Sequence, residues 1–155
     1  MAFLSGNNLY IAGNVPSVGS APAVGTLSVV DLASFTVTGT TTVANGYHDR
    51  ITMGADNLLF VGSRRCDVTA GCLAVVDTLN NSLMTTIEPR TPFTPPAADP
   101  GDDVTGMTPI ANRNEVYVVQ GGELIVYDTK TKAPKVLDTP PNIIGQGVDV
   151  VAVDF

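Results

Sequence analysis

The chain carries one seven-residue phrase three times, Gly-x-Leu-x-Val-(Val/Tyr)-Asp. The copies occupy residues 25–31, 71–77 and 122–128. Their closing residues, Asp31, Asp77 and Asp128, lie 46 and 51 residues apart, and each precedes a predicted turn, where an aspartate commonly accepts backbone N–H bonds. A period near 50 residues indicates one repeated supersecondary unit, and such units bury their apolar faces by stacking on one another. The repeat therefore constrains the architecture before any local pattern does.

Each unit contains four short runs of strand-forming residues and no helical period with caps. The first run places an Asn three residues before an aromatic residue, and the repeated phrase is the second run. The third runs are 35–37, 83–87 and 135–137, and the fourth are 49–53, 103–107 and 149–153. We interpret the fourth run as the innermost strand of each unit. This order predicts that the first unit lacks an inner strand of its own and that the chain ends inside one.

Four antiparallel strands repeated about every 50 residues are typical of a β-propeller blade. We predict one all-β domain over residues 1–155, with three four-stranded antiparallel blades at about 5–54, 55–111 and 112–155. An irregular β-sandwich is the alternative. Closed propellers have roughly four to eight blades. Three blades therefore indicate a partial propeller. It is either the remainder of a longer propeller or is completed by strand exchange with another chain, head-to-tail, into a ring or filament.

The repeats resemble those of the YVTN-type propellers, which occur in surface-layer and lactonase-like proteins. Residues 9–13 and 59–62 match the Leu-Tyr-Val-Thr-Asn strand of that family, and residues 75–78 and 126–129 match its Val-Ile-Asp-Thr strand. The chain lacks the usual Ser-Pro-Asp-Gly turn, whose place residues 54–57 take once. The resemblance implies a propeller and permits a lactonase-type activity, but it carries no lactonase active-site residue onto this chain.

Charge and cysteine content restrict the partners and the compartment. The net charge is −7, and an acidic surface repels nucleic acid and anionic lipid. No apolar run approaches the length of a membrane span. Cys66 and Cys72 are the two cysteines, and their closeness predicts a local disulfide, with a reduced cytosolic pair as the alternative. A disulfide implies an oxidising compartment, so we predict an extracellular or periplasmic protein.

Aspartates are the candidate metal ligands. Asp49, Asp103 and Asp149 each open a predicted inner strand, and Asp99 and Asp102 add charge nearby. In a closed propeller the first three would ring the channel mouth, where a hard cation such as Ca²⁺ would relieve their repulsion. The alternative is that they accept backbone N–H bonds at the strand ends. Ca²⁺ is therefore the one cofactor that we consider.

Basic side chains near the same rim are candidate ligand contacts. His48 could act as a general base with Asp49 behind it, although neighbours in a strand point to opposite faces. Arg64 and Arg65 could hold an anionic ligand, and Arg50 belongs to the same rim. Solvated loop side chains are the alternative for this group.

No recognised catalytic motif accompanies these residues: Gly-x-Ser-x-Gly, P-loop and Rossmann patterns are absent from the sequence. We therefore predict a noncatalytic extracytoplasmic propeller module that binds a partner or self-assembles. The alternative is a metal-assisted hydrolase of the lactonase type, in which a metal at the channel mouth activates water.

Overall fold

The computed structural model describes residues 1–15, 24–44, 46–65, 72–86, 103–136 and 150–151. Over these residues the protein is all-β and forms three four-stranded antiparallel sheets, which confirms the predicted fold class. The strands are β1 (Ala2–Ser5), β2 (Asn8–Val15), β3 (Val24–Asp31), β4 (Thr36–Val43), β5 (Tyr47–Met53), β6 (Leu58–Arg64), β7 (Leu73–Asp77), β8 (Ser82–Thr86), β9 (Val104–Ile110), β10 (Glu115–Gln120), β11 (Glu123–Asp128) and β12 (Ala133–Pro134). Within the described ranges no helix is long and apolar enough to cross a membrane.

Strands join their sheets in chain order, so blade 1 is β1–β4, blade 2 is β5–β8 and blade 3 is β9–β12. The prediction that the first blade lacks an inner strand is wrong, because β1 pairs with β2 through Phe3 and Tyr10. The runs at 49–53 and 103–107 are the first strands of blades 2 and 3 and pair with the strands that follow them. The short turn between β5 and β6, closed by the Gly54 N–H and Leu58 carbonyl at 2.8 Å, makes them hairpin neighbours.

The third predicted inner strand, at 149–153, lies largely outside the described residues, where only Val150 and Val151 are placed and neither is in a strand. Each described sheet has four strands from its own segment of the chain. A donated strand is therefore not needed to complete any of the three blades.

Blade 2 is the middle layer of a three-blade stack. In β6 every residue except Arg64 is buried, and alternate side chains point to opposite sides of the sheet. Leu58 and Phe60 pack in the core shared with blade 3, whereas Leu59 and Val61 pack in the core shared with blade 1. This double burial explains why β6 reads as an uninterrupted apolar run.

Two apolar cores hold the stack together. The core between blades 1 and 2 includes Tyr10, Leu27, Val29, Leu59 and Val61. The core between blades 2 and 3 includes Phe60, Leu73, Val104, Val116 and Tyr127. In the second core the rings of Phe60 and Tyr127 meet edge to face, with centroids 5.1 Å apart and planes at 81°. Such aromatic pairs add about 0.5–1.5 kcal/mol beyond the apolar area that they bury.

The repeated aspartates close the turns between the third and fourth strands. Asp31, Asp77 and Asp128 each accept a hydrogen bond from the backbone N–H two residues ahead, at 2.7–2.9 Å, which confirms their predicted turn role. These bonds favour the ionised carboxylate. The pKa of Asp31 is lowered chiefly by the Ser34 N–H, and the pKa of Asp128 chiefly by the Thr131 N–H.

Candidate functional site

The structure gives Asp49 arginine partners. Asp49 is the extra residue of a β-bulge in β5, between His48 and Arg50. Its Oδ2 atom forms an ion pair with Arg64 and lies 3.9 Å from Nη1 of Arg50. Two guanidinium groups therefore compensate the negative charge that was expected to attract a cation.

Asp103 does not occupy the position equivalent to Asp49, although both stand four residues before a methionine in the sequence. Pairing with the second strand defines the equivalent positions: Phe60 faces Thr52 in blade 2, and Tyr117 faces Thr108 in blade 3. Counting back from these pairs places Thr105, not Asp103, opposite the bulge position of Asp49. The predicted alignment is therefore wrong by two residues, although both ladders carry their bulge at the equivalent position, Asp49 in β5 and Thr105 in β9.

Asp103 instead acts on the backbone, as the alternative interpretation expected. Its Oδ1 atom accepts the N–H of Arg65 at 2.6 Å, and its carbonyl accepts the N–H of Gly121 at 3.2 Å. The other candidate ligands, Asp99, Asp102 and Asp149, lie outside the described residues. Within the described segments no group of three or more His, Cys, Asp or Glu side chains could hold a metal ion. Binding of Ca²⁺ stays a prediction.

His48 lies at the junction of blades 1 and 2 and is buried there. Its Nε2 atom is 2.6 Å from the carbonyl oxygen of Ala44, in the segment that connects the two blades. Burial lowers the pKa of His48, and the hydrogen bond with Ala44 opposes this shift in part. The geometry therefore fits a residue that holds the connection between two blades.

The three rim arginines lie at one end of blade 2, and each has an intramolecular partner. Arg50 donates from Nε to the Thr105 carbonyl at 2.9 Å and so links β5 to β9. Arg64 pairs with Asp49, and the guanidinium of Arg65 lies 5.8 Å from the centroid of the Tyr47 ring. A pocket of about 340 Å³ opens beside Arg50, where the inner strands of the blades meet. Binding of an anion by this cluster stays a prediction.

Cys72 is buried at the start of β7 in the core between blades 2 and 3. Its predicted partner, Cys66, lies outside the described residues. The disulfide, and the oxidising compartment that it implies, therefore stay predictions.

Sequence reasoning missed the most distinctive surface, the face of blade 1 that points away from blade 2. Its central row runs straight across the sheet as Leu4, Leu9, Val30 and Val37. Leu4 and Val37 are 58% and 64% exposed. Ile11, Val15, Val24 and neighbouring Ser and Thr side chains extend this surface, which we call the back face of blade 1.

The back face of blade 1 carries no charge. Asp31 is the only Asp, Glu, Lys or Arg in residues 1–47, and it belongs to the adjacent row, Ser5–Asn8–Asp31–Thr36. Adjacent rows of a sheet point to opposite sides, so Asp31 faces blade 2. A run of nearly 50 residues with one charge was the signal in the sequence that could have revealed this face.

The other end of the stack is different. On the outer face of blade 3, Tyr117 and Leu124 are half-buried, whereas their cross-strand partners Val126 and Val119 are buried. Charged side chains border these residues: Lys135 pairs with Glu115 and lies 3.6 Å from Asp128. We call this surface the front face of blade 3.

Comparison with known proteins concerns the fold alone. No protein-family model matches the chain, and no curated protein matches it, so membership of the YVTN family stays a prediction. Among solved structures 36 chains match. One is apo AztD from Citrobacter koseri, with a TM-score of 0.48 and 13% identity over 91% of this chain and 47% of that one. The chain thus spans about half the length of that protein.

Proposed function

We propose that this protein is a noncatalytic, extracytoplasmic β-propeller-type module that works by binding, through association of copies of the chain. The observation that carries the proposal is the open back face of blade 1. Its central row holds four aliphatic side chains in register, and two of them are more than half exposed.

The energetics favour a partner on this face. Complete burial of an exposed Val or Leu side chain contributes about 1.5–3 kcal/mol, and no charged side chain on the face would have to be desolvated. Water-soluble monomers rarely leave an apolar surface this continuous without a use for it. The equivalent positions in blade 2, Leu59, Val61 and Val76, are fully buried under blade 1. The corresponding face of blade 2 therefore already forms a contact between two blades.

Sedimentation velocity over a wide range of concentration tests the proposal. We expect the wild-type chain to self-associate and Ile11→Lys, which places a charge on the back face, to remain monomeric. Leu79→Lys is the matched control, because Leu79 is 73% exposed in a blade 2 turn and lies off that face. A monomeric wild type, or equal association of wild type and Ile11→Lys, would contradict the proposal.

The remaining parts of the proposal have separate tests. Alkylation of thiols before and after reduction, followed by intact-mass measurement, tests the Cys66–Cys72 disulfide on which the extracytoplasmic location depends. Calorimetric titration with Ca²⁺ tests the predicted metal. A lactone and ester screen with and without Ca²⁺ tests the hydrolase alternative, and turnover there would refute a noncatalytic role.

A further inference from the structure

A polar pocket of about 350 Å³ opens between blades 1 and 2, at the end of blade 2 opposite the rim arginines. Ser5 and Asn8 line it from blade 1, and Met53, Asp56, Asn57 and Leu79 line it from blade 2. Its volume lies near the lower end of the roughly 300–1,000 Å³ that is typical of small-molecule sites. All of these residues belong to one chain, so a ligand here would not require association of copies.

The junction between blades 2 and 3 is closed at the equivalent place. Asn8 and Leu58 occupy equivalent positions, because each pairs with the closing aspartate of its own repeated phrase. Leu58 is fully buried in the core between blades 2 and 3. Beside it, a Cβ on Gly54 would lie only 2.8 Å from a side-chain carbon of Val116 in blade 3, so this junction has no spare room. The amide of Asn8 therefore stands where a buried leucine closes the following junction.

A hydrogen bond that bridges blades 2 and 3 has no counterpart between blades 1 and 2. Thr78 and Thr129 are equivalent, because each follows the closing aspartate of its repeated phrase. The Thr129 hydroxyl donates to the Asp56 carboxylate at 2.9 Å and so links blade 3 to blade 2. The Thr78 hydroxyl donates instead within its own blade, to the Asn57 carbonyl at 2.9 Å. The corresponding turn of blade 1, residues 6–7, has no carboxylate to receive it, so no such bond closes the pocket.

The polar groups of the pocket are available to a ligand. Among the residues that the structure describes, the side chains of Ser5, Asn8 and Asn57 make no hydrogen bond, and a hydroxyl or an amide can both donate and accept one. Asp56 and Asn57 have left-handed φ angles of 56° and 59° and form the centre of a tight turn. Glycine is the usual second central residue of such a turn. The turn therefore does not require the Asn57 side chain, which lines the pocket.

The charges of the lining favour a neutral ligand. No Lys, Arg or His side chain lines the pocket, and Asp56 contributes one carboxylate, which repels anions. A cation is not favoured either, because that carboxylate already accepts the Thr129 hydroxyl and the described residues contain no group of three or more His, Cys, Asp or Glu side chains that could hold a metal ion.

The lining also offers an apolar surface beside its polar groups. Leu79 is 73% exposed and lies at the pocket together with Met53. Small-molecule sites combine apolar side chains with a few placed polar groups in this way. We propose that the pocket binds a neutral saccharide, whose hydroxyls pair with Asn8, Asn57 and Asp56 and whose C–H face covers Leu79.

Saturation-transfer difference NMR with free neutral sugars tests the assignment. The probes are glucose, galactose, mannose, N-acetylglucosamine, cellobiose, lactose and maltose, and we expect the wild-type chain to bind at least one of them. Asn57→Gly removes a pocket amide and gives the turn its preferred residue, and Asn8→Leu copies the closed junction between blades 2 and 3. Each is expected to weaken binding by about fivefold to tenfold, which corresponds to the loss of about one hydrogen bond.

Asn112→Gly is the matched control and is expected to bind like the wild type. Asn112 has a left-handed φ of 60° in the equivalent turn of blade 3 and does not line the pocket. Circular dichroism and thermal melting of each variant establish that lost binding is not lost folding.

Three outcomes would overturn the inference. They are the absence of binding by every sugar tested, equal binding by wild type, Asn57→Gly and Asn8→Leu, and binding of inorganic phosphate or Ca²⁺ at these residues in place of a sugar. The proposed self-association is tested separately, because the pocket lies within one chain. Ile11→Lys is therefore expected to bind the sugar as the wild type does, whether or not the wild type associates.

Discussion

Truncation of Phe60 tests the order of the three blades. Phe60 is fully buried in the core between blades 2 and 3 and meets Tyr127 edge to face. Phe60→Ala removes the ring contact and leaves a cavity, so we expect it to lower the free energy of unfolding by about 3–5 kcal/mol. Phe35 is 82% exposed in a blade 1 turn, and Phe35→Ala, the same chemical change, is expected to cost less than about 0.5 kcal/mol.

Urea unfolding followed by circular dichroism measures the difference. With an m-value of about 2 kcal/mol per molar urea, Phe60→Ala lowers the midpoint by about 2 M and Phe35→Ala leaves it nearly unchanged. Tyr117→Ala supplies a second comparison at the equivalent repeat position. Measured in the Ile11→Lys background to exclude association, it is expected to cost less than half as much as Phe60→Ala. Equal losses at Phe60 and Tyr117 would refute the reasoning, since blade 2 would then not be the middle layer.

Three further predictions follow from local geometry and are tested by the same unfolding measurement. Gly25→Ala is expected to cost about 3 kcal/mol, because its Cβ would lie 1.9 Å from the Ala44 carbonyl oxygen, whereas Gly13→Ala, with nothing within 4 Å, is the neutral control. Phe35→Asn is expected to add about 1 kcal/mol of stability, since Phe35 has a left-handed φ of 54°; no gain would mean that the turn is unstrained. The lowered pKa of His48 means that the unfolded chain binds protons more readily, so stability is expected to fall as the pH drops below about 6.5. His48→Gln is expected to flatten this dependence between pH 7.5 and 5.5, and an unchanged slope would exclude His48 as its source.

The repeat in the sequence predicted the fold class because its spacing and its strand-forming residues agree on the same unit. It missed the innermost strand of blade 1, since residues 2–5, which form β1, lie before the first repeated run. The sequence pattern was therefore sufficient for the content of a blade and insufficient for its boundaries.

The candidate site was harder to predict for two physical reasons. The shared four-residue spacing to a methionine made Asp49 and Asp103 look equivalent, although pairing with the second strand places Asp103 two residues before the position equivalent to Asp49. Asp49 has one arginine partner in β5, Arg50, and one in β6, Arg64. Their proximity therefore depends on how these two strands pair. The back face of blade 1 could have been predicted from the sequence, because the scarcity of charged residues before Tyr47 is visible without a structure.

Because β6 places Leu58 and Phe60 on one side and Leu59 and Val61 on the other, blade 2 has no water-compatible surface of its own along this strand. A fragment without blade 1 would expose one set of these side chains, and a fragment without blade 3 would expose the other. The middle of the molecule is therefore stable only while both neighbours are folded. In a repeat array stabilised by nearest neighbours, this dependence makes unfolding begin at the two ends and makes loss of either terminal blade costly to the whole chain.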